Sequence, residues 1–240
     1  MTHLQDALQA CAPLLPEPFR SAHQRLFHPV YLSRLAGRLL AFAVYGAPDR
    51  PPPPYFAAEC TPPLAEPWSF FRSAVAAWQS AEHVGSAQAL QGLADAFVAA
   101  GCGNVLLLLG QRRTPASLTD ARAIPPTRGE LLASANAAHA EGGGLSVVAR
   151  ALTKHIPRAS GVFWGEVCGS TAQKNAAANQ VLERILDNTT WWNVFGHFQQ
   201  EVVYEARAPS GHGARWAHGG KEFIGFLEPF TEEKRFDGGK

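Results

Sequence analysis

The feature that most constrains the fold is a change of hydrophobic period near residue 190. Before the TTWWN stretch at 189–193, apolar residues recur at three- and four-residue steps, the repeat that buries one stripe of a helix. Beyond it, VVYEARA at 202–208 alternates, which suits one face of a strand. GHGARWAH and KEFIGFLEP then flank Gly219-Gly220, and a tight primed turn requires positive φ at both central positions. The hairpin register that follows sets Trp216 opposite Phe223 and Arg215 opposite Ile224. Trp216 and Phe223 then share one face, with Arg215 and Glu228 on the other. The expected fold class is α+β, with a helix-rich N-terminal two-thirds packed on a small C-terminal antiparallel sheet.

Helix boundaries are marked by their caps. Residues 1–47 read as a helical N-terminal segment. Trp68, Phe71, Val75 and Trp78 share one helical face after Pro67. A helix is expected from Ser86 to Gly101, followed by a short buried strand at 104–109. Thr127 with Glu130 and Ser170 with Gln173 each form a capping-box pattern. Between them LSVVARALTKH forms a helix that Pro157 stops. The prolines of PDRPPPPY at 48–55 impose extended geometry, so that stretch reads as a linker or rigid edge, and residues 56–240 as the main α+β domain.

Composition narrows the function classes. Twenty-one Lys plus Arg stand against twenty Asp plus Glu. This balance lacks the basic excess that phosphate-backbone binding draws on, and it argues against nucleic acid as a partner. The N-terminus has no apolar core for secretion, and the VLLLL run at 105–109 is far short of the ~20 residues of a membrane span. A cytoplasmic protein with no membrane partner is expected. The four cysteines are far apart and form no metal or dithiol motif, and Cys168 reads as a small buried filler. His197, His212 and His218 lie near Glu201, Glu205 and Glu222 without zinc-site spacing, so no metal and no cofactor is expected. Oligomeric state is not legible.

Polar chemistry concentrates between Lys154 and Asn175. Lys154, His155 and Arg158 cluster where one helix ends, and Ser170 caps the start of the next. A helix start offers free N–H groups and partial positive charge, and Gly165 and Gly169 allow close backbone approach. Lys174 begins the inward stripe of its helix, and Trp164 could stack on a flat ring. The expected ligand is a small anionic, ring-containing metabolite held by Lys154, Arg158, Trp164, Gly165, Ser170, Lys174 and Asn175. Glu205, Arg207, Arg215 and Glu228 would supply the opposite wall. The alternative is structural: Lys154 and Arg158 neutralise helix carbonyls, Trp164 fills the core, and Lys174 pairs with an acid such as Glu183. If the chain is an enzyme, Glu205 is the expected general acid or base, because Val203 and Arg207 on its face pull its pKa in opposite directions. His155 is the second candidate.

LSVVARALTKHxxR, FWGxxxGSxxxKN, ERILDNxxWWN, EVVYEAR and GHGARW followed by GFLEP resemble the landmarks of a family of uncharacterised proteins over residues 145–229. A fainter resemblance is to the NADAR family, whose enzymes cleave N-glycosidic bonds of nucleotide-like substrates. It rests on Phe163, Trp164, Gly165, Gly169, Lys174 and Asn175, with Glu82-His83 in place of that family's acidic residue. This second resemblance implies an N-glycosidic hydrolase. A non-catalytic partner-binding protein using residues 191–195 and the proline run, or a structural subunit, is the rival from another class.

Overall fold

A computed structural model describes residues 4–81, 86–140, 143–159, 162–196 and 201–230. The chain is α+β, with its helices preceding a four-stranded antiparallel sheet. Two compact units interleave in sequence. The first is formed by residues 1–51, 60–113 and 118–124, and the second by 52–59, 114–117 and 125–240.

The first unit is helical: α1 (Leu4–Ala10), α2 (Glu17–Ala22), α3 (Pro29–Tyr45), α4 (Ala65–Ser80) and α5 (Ala87–Leu108). Phe71 packs edge-on against Phe97, Trp68 packs against Phe42, and Leu39, Val75 and Leu93 are fully buried between them. Ser86 caps α5 by accepting from the Ala89 N–H, as its position suggested. Gly101 supplies the left-handed exit, with φ 67°. The chain then re-enters a helix, where the sequence suggested a strand at 104–109. Val105 to Leu109 are buried on every side, an environment that a helix satisfies as well as a central strand does. Asn104 supports the helix locally, its side-chain amide donating to the Ala100 carbonyl across the break. Among the described residues α5 alone is long and apolar enough by composition to cross a membrane, and it is interrupted at Gly101.

In the second unit α6 (Arg128–Asn136), α7 (Val147–His155) and α8 (Thr171–Asp187) precede β1 (Trp191–Gly196), β2 (Val202–Arg207), β3 (Gly213–Ala217) and β4 (Glu222–Leu227). Both capping boxes form. The strands follow one another in the order β1-β2-β3-β4. Trp192, Tyr204, Trp216, Phe223 and Phe226 line one sheet face, and the Trp216 indole donates to the Leu131 carbonyl of α6. The other face carries Trp191, Asn193, Glu205, Arg207 and Arg215, and Phe56 and Ser117 from the unit's two outlying segments contact Trp191 and Asn193 there.

The hairpin turns at Gly219 and Gly220, with φ 64° and 91°, and Trp216 pairs with Phe223 as expected. The register then slips at a bulge, so that Arg215 lies opposite Gly225 rather than Ile224. Because one extra residue reverses every later side chain, Phe226 and Glu228 turn toward the helices. The expectation that Arg215 and Glu228 share a face is therefore corrected. Gly213 is needed where it stands: a Cβ there would lie 2.6 Å from Arg207 Cγ and 2.5 Å from the Ala206 carbonyl oxygen.

Candidate active site

The last residue of α7, the loop after it and the end of β4 converge on one carboxylate. His155 Nε2 is 2.9 Å from Glu228 Oε1, and the Trp164 indole N–H donates to the same oxygen at 2.6 Å. His212, in the turn between β2 and β3, places Nε2 3.7 Å from Glu228 Oε2, beyond a direct hydrogen bond. Its Nδ1 lies 3.0 Å from the Ser210 hydroxyl. The His155, His212 and Glu228 side chains are 19%, 14% and 21% exposed, so all three reach solvent from a mostly enclosed setting.

Aromatic packing fixes the ring positions. His212 stacks on Phe163 at 3.9 Å and 4°, and Trp164 stands edge-on to both histidines. Phe226, turned inward by the bulge, lies beneath Trp164. Arg184 of α8 covers Phe163 at 4.5 Å and donates to its carbonyl. Burial pushes the His212 pKa below its ordinary value of 6.5, against the attraction of Glu228, and Arg184, Arg207 and His155 add to the lowering.

Behind this cluster runs a buried charge network. Glu205 is 1% exposed, and its Oε1 accepts from Arg207 at 2.5 Å while its Oε2 accepts from Arg215 at 2.6 and 2.9 Å. Arg207 Nη1 also donates to the carbonyls of Gly211 and Glu228, at 2.6 and 2.9 Å. It therefore ties together the backbone that carries His212 and the backbone that carries Glu228. The guanidinium is covered by Phe230 at 4.4 Å and Phe56 at 5.5 Å. Glu205, expected as the acid or base, is thus enclosed between two guanidiniums, and Arg215 pairs with it rather than with Glu228.

The residues expected to line a single anion pocket separate. His155 and Trp164 meet at Glu228. Lys154, one residue away, lines a different groove beside β4, and Arg158 is exposed. Ser170 and Gly165 do local backbone work: Ser170 caps α8, and Gly165 makes a left-handed turn with φ 68°. Asn175 bridges two segments by accepting from the Ser146 N–H and donating to the Gly144 carbonyl. Lys174 is half-buried. Cys168 is exposed, not the buried filler expected, because its loop lies outside the aromatic cluster. Glu82-His83, His197 and residues 231–240 lie outside the described residues. Among the described residues no cluster of three His, Cys, Asp or Glu side chains is arranged to hold a metal ion. His212 was weighed in the sequence only as a metal ligand. The signal that could have found it is its place in the turn facing GFLEP, once the bulge is allowed for.

Residues 133–228 match the family model of the CdiA C-terminal tRNase toxin domain, over less than half of the chain. No curated protein and no solved structure matches the chain. The family match corrects several expectations. The family found is a described one rather than an uncharacterised one, and nothing supports the NADAR resemblance. A match to a domain described by its action on tRNA also overturns the small-metabolite ligand and the exclusion of nucleic acid. Net charge misled because it averages over 240 residues, while binding depends on where cations gather.

Proposed function

We propose that this chain is a ribonuclease acting on tRNA, with His155, Glu228 and His212 as its acid–base centre. The observation that carries the reading is that one carboxylate is hydrogen-bonded to one imidazole and stands 3.7 Å from a second within the span matching a tRNase toxin domain. Cleavage of an RNA phosphodiester by its neighbouring 2′-hydroxyl needs two proton transfers. The 2′-oxygen loses a proton as it bonds to phosphorus, and the 5′-oxygen gains one as its bond to phosphorus breaks. The products are a 2′,3′-cyclic phosphate and a 5′-hydroxyl, and no co-reactant is consumed.

Two imidazoles divide the transfers, one as base and one as acid. His212, which burial favours in its neutral form, accepts the 2′-hydroxyl proton. With Nδ1–H directed to Ser210, its Nε2 carries the lone pair. His155, held on Glu228 through Nε2, donates the proton on Nδ1 to the leaving oxygen. Glu228 orients the His155 ring, and Ser210 and the Phe163 stack orient that of His212. Arg184, exposed beside the Phe163–His212 stack, supplies positive charge for the phosphoryl oxygens in the transition state.

The test is cleavage of tRNA by the purified chain, with the 3′ ends of the products analysed. A cyclic phosphate is expected. His155→Ala and His212→Ala should each lower kcat by about 10²–10⁴ with the melting temperature preserved. Intact tRNA with the parent chain, or undiminished cleavage by both variants, would overturn the reading.

A further inference from the structure

The groove that Lys154 lines is separate from the histidine cluster, and the acid–base chemistry makes no use of it. It encloses about 510 Å³ between the end of α6, one side of α7 and the start of β4. Arg150 and Lys154, one helical turn apart, project from α7, and Lys221 lies at the entry to β4. His139 joins them, and Glu222 is the acidic residue of the lining. Val147, Ala151, Phe223 and Ile224 provide apolar surface between the cations. Two elements lead from this groove to the proposed centre. On α7, Lys154 is followed directly by His155. On β4, Phe223 leads to Phe226 beneath Trp164 and then to Glu228, roughly 17 Å along the strand from Phe223.

Cations distributed along a wall, with apolar surface between them, suit a polyanion whose flat bases alternate with charged phosphates. They suit a single small anion less well, since that would need its donors gathered at one point. We infer that this groove is the RNA-backbone track of the enzyme, with Arg150, Lys154 and Lys221 holding phosphates a few nucleotides away from the bond that is cut. The inference rests on the ribonuclease reading and deepens it. It makes the groove responsible for substrate affinity and the His–Glu–His centre responsible for chemistry.

The experiment uses the full chain and total tRNA, with binding measured over a range of salt concentrations alongside steady-state cleavage. Arg150→Gln/Lys221→Gln should raise KM at least tenfold, change kcat by less than about threefold, and flatten the slope of log affinity against log salt by about 1 to 2. Lys221→Gln alone, at an exposed turn position, guards against a folding defect and should flatten the slope by about 1. A parent chain that cleaves tRNA alongside variants with unchanged KM and salt slope would overturn the groove assignment and leave the ribonuclease reading standing. A parent chain that neither binds nor cleaves tRNA would remove both.

Discussion

Glu205 shows how far a single residue's surroundings decide its role. Its alternation beside Val203 and Arg207 is legible in the sequence, and so is the conflict between burial and charge. What the sequence does not show is that Arg215 closes on the second oxygen from the neighbouring strand. A carboxylate enclosed by two guanidiniums is costly to remove. Glu205→Gln removes the carboxylate that the two arginines share, one of them fully buried, and should cost about 3–5 kcal/mol in chemical denaturation. His212 yields a pH prediction. Its folded-state pKa lies below 6.5, so above that pH folded and unfolded chains are both neutral there and the residue contributes nothing. As pH falls below 6.5, the unfolded chain takes up the proton first and the folded state loses stability. Denaturation at pH 7.5 and pH 5 should show the parent losing more stability than His212→Phe, and an equal loss would contradict the assignment.

At the scale of elements, caps and turns were the most legible signals because each is a local pattern with a local cause. The Thr127 and Ser170 capping boxes, the Ser86 cap and the Gly219-Gly220 turn all lie where their residues place them. The 104–109 segment was not legible, since a short, wholly apolar run fits a buried helix and a buried strand equally well. β1 was also missed, because WWNVFG is buried on both faces and carries no alternation. The turn glycines differ in what they tolerate. Gly220 combines φ 91° with a Cβ position 2.6 Å from Pro126, whereas Gly219 at φ 64° has open space around it. Gly220→Ala should destabilise by about 1–3 kcal/mol and Gly219→Asn by less than about 1 kcal/mol, measured by thermal melting.

The whole molecule is divided in space but not along the chain. The sheet of the second unit depends on short segments at 52–59 and 114–117, which place Phe56 on Trp191 and over Arg207, and Ser117 on Asn193. A fragment of residues 125–240 carries the matched span yet lacks both covers. Such a fragment should melt below the full chain and exchange its β1 and β2 amides faster, and equal protection would show the covers to be dispensable. The candidate site, too, was only partly legible: His155, Trp164 and Glu228 were visible as candidates, but their meeting depends on the bulge. Ile224 is the extra residue there. If the ladder instead ran on without the bulge, Arg215 would face Ile224, and Glu228 would turn to the arginine side and leave both histidines behind. An inactive relative of this fold would therefore need no altered catalytic residue. A last strand of the same length that pairs in regular register would suffice, and a comparison that scores only the identity of the histidines and the glutamate would take it for active.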